Sequence, residues 1–534
     1  MSRRRKAAIC LVLGLMIAAG GLRLRQRLRA PLPPLQVSLW YWHTPFQIAP
    51  SEAAQWQALG VKTLFVRAGT FFKEGEGARL ILPQQWAGPS NGLDIHLVFN
   101  LDYGLVRDFA HLSPETLADA LSAGIRQERA RAEQAGVKVV GIQIDFDCPT
   151  RLLPRYAMLL RQLRHSIAPP TRLSITALPT WFIAGDVEPV MEAVDFTVPQ
   201  YYEAGISKTL DDFQTVSRLA MVESGLKLAG RHGLPFYAGL PAYGHALLYD
   251  KAGRLLGPYR TLHALGALHH PSFRLARAFP ADRNGKPATA ATYIGEDIYD
   301  FEAIKPALDG RGLGYHLVYD LPTPVLVAQH LALVREQRPR SCLGVILYRY
   351  PEPDETATLP LPTLAALLRG ETPQPQLKVQ LKAATAPWEL IETGRTAARA
   401  PLDLTVSVTN SGSAGSFLAP DAVSVTLLFD RPGLEDIALR DFDTCETFYR
   451  DAPDSASSAS ATAMRASAAR ANGVTFRLDY LAPGATARIG PIRIPADGAT
   501  KAQGYGSIVG AGRFTIVQGV IPPTDLTALA RHGK

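Results

Sequence analysis

Cysteine is scarce. The 534 residues hold four, Cys10, Cys148, Cys342 and Cys445, with no CxxC pair and no histidine at metal-ligand spacing. That pattern disfavours zinc ribbons and dithiol redox centres and allows at most one disulfide among the last three, so free structural thiols are expected. No metal site and no cofactor is read. Also missing are a nucleophile elbow, a phosphate loop and a dinucleotide fingerprint, which disfavours serine hydrolases, P-loop enzymes and Rossmann dehydrogenases.

Acidic residues are absent from the first 30 positions, which carry Arg3, Arg4, Arg5, Lys6, Arg23, Arg25, Arg27 and Arg29. The whole chain has 56 Lys and Arg against 48 Asp and Glu, a net charge of +8. Those eight residues supply all of it, so the remainder is balanced and nucleic acid is not an expected partner. Residues 1–30 read as a membrane anchor or signal segment: a basic run, the uncharged apolar stretch Ala7 to Leu22, then an Arg-rich flank. The stretch is slightly short of the roughly 20 residues that span a bilayer. No small-x-small cleavage site follows it, which favours an uncleaved anchor. Charge on both flanks leaves the orientation open, and the second arginine cluster suits either plain solvation or anionic headgroups. The expectation is a chain anchored at the inner membrane or secreted, with its bulk in the periplasm.

What is present is a long alternation of short β-branched or aromatic runs with helical stretches. Eight strands are expected near 35–42, 61–68, 93–101, 137–147, 172–178, 194–202, 234–241 and 342–350. The helix between the third and fourth opens on Ser113 and stops at Gly136. Eight such units predict an α/β fold, a (β/α)8 barrel over residues 31–371, with a doubly wound sheet as the alternative. About 100 residues separate the last two strands, too many for a loop, so an inserted subdomain near 246–335 is expected over one barrel face. From residue 372 the pattern changes to short alternating runs such as "LDLTVSVTN" and "AVSVTLLF", which predict a C-terminal all-β sandwich over 372–534. Its Ser/Ala-rich stretch 452–471 reads as a mobile loop.

The stretch "VVGIQIDFDCP" carries the strongest chemical signal. A period of two puts Gln143, Asp145 and Asp147 on one face and Ile142, Ile144 and Phe146 on the other. The apolar set suits the helix layer, so the acids point inward at the C-terminal end of a parallel strand, where barrel active sites are built. Two neighbouring carboxyls there should have separated pKa values, one protonated and one ionised. The plainer alternative has Asp145 held by a buried Arg or Lys and Asp147 capping a loop.

The order of motifs resembles the family 18 glycoside hydrolases, the chitinase-like barrels, whose fourth strand reads D-G-x-D-x-D-x-E. Here the string is Val140 to Asp147: Gly141, Asp145 and a terminal acid match, while Val140 and Gln143 replace two acids and Asp147 replaces the Glu. "QYYE" puts Tyr202 and Glu203 on that family's Met-x-Tyr-Asp pattern, "GLPAYG" reproduces its seventh-strand motif, and "GVILY" puts Tyr348 where its floor tryptophan stands. The chain also resembles an uncharacterised bacterial family of membrane-anchored barrels with an IDFDCP motif. The first resemblance implies glycosidic bond cleavage in an extracytoplasmic polysaccharide. Asp147 would then be the acid, Asp145 would modulate it and orient a 2-acetamido group, and Tyr202 would donate a hydrogen bond, with Glu203 as a spare carboxylate. Because Asp is one methylene shorter than Glu, a catalytically silent glycan-binding barrel, serving as a scaffold in polysaccharide handling, is the alternative. Candidate sugar contacts are Gln143, Trp40, Trp42, Arg67, Asn100, Asp102, Trp181, Tyr243, Tyr348 and Arg349, rings for apolar sugar faces and polar groups for hydroxyls. His43, at the end of the first strand, reads as a loop histidine.

Overall fold

The computed structural model describes residues 32–532 apart from 185, 204–206, 217, 283–285, 307–311, 353–354, 387–400, 451–463, 466–469 and 496–500. The expected anchor at 1–30 and most of the Ser/Ala-rich stretch lie outside the described residues. Among those described, no helix is long and apolar enough to cross a membrane.

The first part of the chain forms β1 (Gln36–Tyr41), β2 (Thr63–Glu74), β3 (Gly77–Ile81), β4 (Asp94–Leu101), β5 (Lys138–Asp145), β6 (Arg172–Ala177), β7 (Phe196–Pro199) and β8 (Phe236–Pro241). An antiparallel sheet follows, β9 (His245–Tyr249), β10 (Leu255–Pro258), β11 (Phe273–Pro280), β12 (Glu296–Ala303) and β13 (His316–Pro322), before the chain returns as β14 (Cys342–Tyr348). Parallel pairing runs β1-β2-β4-β5-β6-β7-β8-β14, and β14 pairs again with β1, so the sheet closes. Closure excludes the doubly wound alternative, and all eight barrel strands lie where the hydrophobic runs put them. β3 is an addition the pattern did not give: β2 continues past the barrel rim and folds back antiparallel.

The helices of the ring form for ordinary reasons. Pro114–Gln134 starts where the Ser113 side chain accepts from the Thr116 amide at 3.2 Å, and it buries Leu117, Leu121 and Ile125 against the strands. It stops before Gly136, whose φ of +82° suits glycine. Inside the barrel, Gly141 has a specific task. A Cβ there would come within 2.3 Å of the His96 ring, which stacks on Phe65 with centroids 4.6 Å apart. Burial drives the His96 pKa down to about 3, so this interior histidine is neutral.

The inserted sheet has the order β10-β9-β13-β12-β11. The expected insertion near 246–335 comprises this sheet together with the helix Pro324–Gln337, which packs on Leu219–Gly230 in the ring. Beyond β14 come β15 (Leu377–Thr385), β16 (Leu402–Asn410), β17 (Val423–Phe429), β18 (Asp436–Ile437), β19 (Thr444–Tyr449), β20 (Met464–Arg465), β21 (Gly473–Leu478), β22 (Thr486–Ile494), β23 (Lys501–Val509) and β24 (Ile516–Asp525). They form two antiparallel sheets, β15-β16-β22-β18 and β20-β19-β21-β17-β23-β24, around a core that includes Leu404, Val406, Val425, Phe476 and Ile492. This is the sandwich that the alternating runs predicted. It touches the inserted sheet through the Leu418 amide on the Tyr299 hydroxyl (3.3 Å) and the Gly512 amide on the Asp297 carboxylate (3.0 Å). Cys148 and Cys342 are buried free thiols, and Cys445 is free and exposed.

Candidate active site

Parallel strands deliver their C-terminal ends to one mouth of the barrel, and β5 ends there on Asp145. Its carboxylate is partly buried and is held by neutral groups from the two neighbouring strands. The Thr176 hydroxyl donates to Oδ1 at 2.7 Å, and the Asn100 amide donates to Oδ2. Among the described residues no buried Arg or Lys holds it, contrary to the plainer reading of the sequence. Burial raises the Asp145 pKa to about 6; the Thr176 hydrogen bond opposes the rise and the charge of Asp147 adds to it. Two residues on, Asp147 is open to solvent and has no hydrogen-bond partner among the described residues. Its carboxyl is also above the usual carboxylate range, first because surrounding protein displaces water and second because Glu203 repels its charge.

Aromatic rings line the mouth. Tyr202 stacks on Tyr348, centroids 5.7 Å apart and planes 21° from parallel, and Tyr243 meets both rings edge-on. Trp42 abuts the Tyr348 edge at 5.4 Å. The Tyr202 hydroxyl makes no hydrogen bond among the described residues. Burial holds the phenol protonated, with the neighbouring charges of Asp145, Glu203 and Asp147 acting in the same sense. It is therefore a donor without an acceptor among the described residues, within the influence of three carboxyl groups. Tyr243 donates to Glu203, which is exposed, has a left-handed φ of 52° and donates its amide to the Val216 carbonyl at 2.8 Å. The Asn100 Oδ1 is buried and has no partner.

Asp145, Asp147, Tyr202, Glu203, Tyr243, Tyr348, Trp42, Asn100 and Arg67 thus converge on the mouth. The other candidate contacts do not reach it as free groups. Trp40 is 1% exposed and donates its indole N–H to Gln143 at 2.8 Å; Gln143, fully buried, reaches Ser174. Both fill the barrel beneath the carboxylates. Trp181 is fully buried and donates to the Cys148 carbonyl at 3.0 Å, fastening the loop that follows Asp147. Asp102 caps the helix Tyr103–Asp108, accepting from the amides of Gly104 (3.0 Å) and Leu105 (3.1 Å). Arg349 is committed to Glu352 at 2.8 Å and to Glu355. His43 packs on Tyr41, and burial lowers its pKa.

Sequence reasoning missed the role of Thr176, although "RLSITAL" alternates and turns Ser174 and Thr176 inward together. It also missed Asp320 on β13. This carboxylate is fully buried and accepts from the Val216 amide (2.7 Å), the His245 amide (2.9 Å) and the His245 ring. It ties the inserted sheet to the loop carrying Tyr202 and Glu203, and the aspartate holds the imidazole above its usual pKa against the opposing effect of burial. Gly244 makes room for this join, since a Cβ would fall 1.6 Å from the Asp320 carbonyl oxygen. Among the described residues, His269, Asp443 and Asp479 could share an ion, but they sit between the inserted segment and the sandwich, where His269 pairs with the two acids at 3.6 and 3.4 Å.

In architecture the chain is a closed (β/α)8 barrel, with carboxyl groups at the mouth formed by the C-terminal ends of its strands. Residues 108–267 match the model of a domain of unknown function (DUF3142). No curated protein matches. Among solved structures, the chain is similar to the spore cortex-lytic enzyme SleL of Bacillus cereus at 16% identity, covering 64% of this chain and 75% of that one, with a TM-score of 0.41. It is similar to a family 18 N-acetylglucosaminidase from Paenibacillus barengoltzii at 13% identity, over 63% and 100% of the two chains, TM-score 0.41. A chitinase from Chromobacterium violaceum gives 16%, 63% and 98%, TM-score 0.40. The fold itself rests on the strand order and register described above.

Proposed function

We propose that the protein is a glycoside hydrolase acting on an extracytoplasmic polysaccharide, held near the membrane by its N-terminal segment. The observation that carries this reading is the pair at the end of β5: Asp145 is fixed by Asn100 and Thr176, and Asp147 stands in solvent two residues beyond. A carboxyl whose pKa is raised by burial holds its proton more firmly than an exposed one and so is better suited to hand it to a glycosidic oxygen. Asp147 has the access and carries no competing hydrogen bond. Asp145 is fixed well enough to orient a polar substituent of the sugar, and the unpartnered Tyr202 hydroxyl can stabilise charge that develops there. Tyr348 and Trp42 offer apolar faces to a pyranose ring.

The test uses the full-length chain in detergent, offered bacterial exopolysaccharides and chitin oligomers, with release of reducing ends as readout. Asp147→Asn is expected to lower kcat at least about a hundredfold, the usual share of a positioned acid, while oligosaccharide binding persists. Turnover by neither protein, with equal binding by both, would instead support the silent glycan-binding barrel. The observation favouring that second reading is the short reach of Asp147 compared with a glutamate.

A further inference from the structure

Arg67, a cation in the mouth, has no counter-ion among the described residues. Arg67 lies on β2, where Trp40 pairs with Phe65 and Tyr41 with Val66, so it stands one position beyond, beside Trp42. Like Phe65, two residues earlier, it faces the barrel interior. It is half-buried, and its guanidinium makes one hydrogen bond among the described residues, to the Thr70 hydroxyl on its own strand at 3.1 Å. No carboxylate forms an ion pair with it among those residues. Burial costs the guanidinium part of its hydration, which is reflected in a lowered pKa, with the Tyr348 hydroxyl as the nearby opposing influence. A second arginine acts on the same ring: burial raises the Tyr348 pKa, and Arg260, exposed just beyond β10 and without an ion pair among the described residues, opposes that rise alongside Arg349.

Half-desolvated arginines are ordinarily paired, since removing charge from water is expensive and the planar fork suits a carboxylate. The acids of the mouth do not supply the partner. Asp145 is taken by Asn100 and Thr176 and Glu203 by Tyr243, while Asp147, though free, forms no ion pair with Arg67 among the described residues. Register fixes the spacing: Arg67 pairs with Val98 and Val98 with Gln143, two residues before Asp145 on β5. The Arg67 backbone therefore stands two strand spacings across and two residues below Asp145, roughly 12 Å away, a gap its long side chain can shorten toward the sugars that flank the reacting bond.

We infer that the glycan of this site carries a carboxylate, which Arg67 binds from the barrel wall and Arg260 attracts from the inserted sheet, so that the substrate is an acidic polysaccharide. This rests on the reading of the mouth as a glycan site. It requires no turnover, so its test is separate from that of catalysis.

Binding is measured by calorimetry with the full-length Asp147→Asn chain. The probes are a hyaluronan hexasaccharide, the same hexasaccharide with its carboxyls reduced to alcohols, and chitohexaose. Tighter binding of the charged hexasaccharide by tenfold or more, weakening as salt is raised, is the expected result. Adding Arg67→Gln should erase the difference between charged and reduced forms while leaving thermal melting in place. Arg260→Gln should reduce the difference and its salt dependence without removing it. Equal affinity for the charged and reduced hexasaccharides, preference for chitohexaose, or binding of none of the three overturns the inference. Loss of turnover with the charge preference intact would overturn only the proposed activity.

Discussion

At the scale of single residues, the mouth is a set of acids distinguished by what surrounds them. Asp145 is pinned by two neutral donors, Asp147 is free, and Glu203 is bonded to Tyr243 while repelling Asp147. Removing the Glu203 charge should therefore make Asp147 easier to ionise. If Asp147 is the acid, activity requires its protonated form and falls as pH rises through its pKa. Glu203→Gln is thus expected to move the basic limb of the kcat/KM profile to lower pH by less than about one unit, with the rate at the optimum largely kept. A hundredfold loss at every pH would instead mean that Glu203 is itself the acid. Alternation along "GIQIDFD" made the inward direction of Asp145 legible without a structure. It did not reveal that Gln143 and Trp40 satisfy one another beneath the mouth, because that bond joins positions 103 residues apart. Asp102 was misread for a local reason. An aspartate before "YGLVRD" is a helix cap, and that signal lay in plain view.

At the scale of elements, the eight strands were readable because each is a short apolar run buried on both faces. Closure and register were not, since they depend on pairing between distant segments. The inserted sheet shows the difference well. A gap of about 100 residues announced it, yet nothing in the gap said that Asp320 would reach back to Val216 and His245. That carboxylate is fully buried and accepts three hydrogen bonds, so its loss strands three donors at once. Asp320→Ala is expected to destabilise the protein by about 3–5 kcal/mol in denaturant melts. It should also raise KM, because the loop that presents Tyr202 and Glu203 loses its tie to β13. An unchanged melting midpoint would show that the join is not structural.

At the scale of the whole molecule, the sandwich was legible from its alternation, but the face it presents to the inserted sheet was not. Asp297 is 2% exposed and receives the Gly512 amide and the Tyr293 hydroxyl, each at 3.0 Å. Burial lifts its pKa to about 7, against the opposing effect of those hydrogen bonds. A carboxyl whose folded pKa lies above its unfolded value of about 4 favours the folded state fully below pH 4, and that contribution is lost as pH rises through about 7. Thermal stability should accordingly decline between pH 5 and 8. Asp297→Asn, which is neutral throughout, should flatten that decline in melting curves taken across the range.

Closure of the barrel has a consequence for solubility as well as for catalysis. The eight strands joined into the barrel leave no unpaired side among themselves on which another chain could build, and only the short β3 stands outside that closure. The sandwich is open: β24 ends its six-stranded sheet, with Ile516 63% and Val520 83% exposed along it. Of the edges the fold leaves, which include β3, β10 and β11, this border presents exposed Ile516 and Val520, the apolar side chains that favour strand-to-strand adhesion between folded copies.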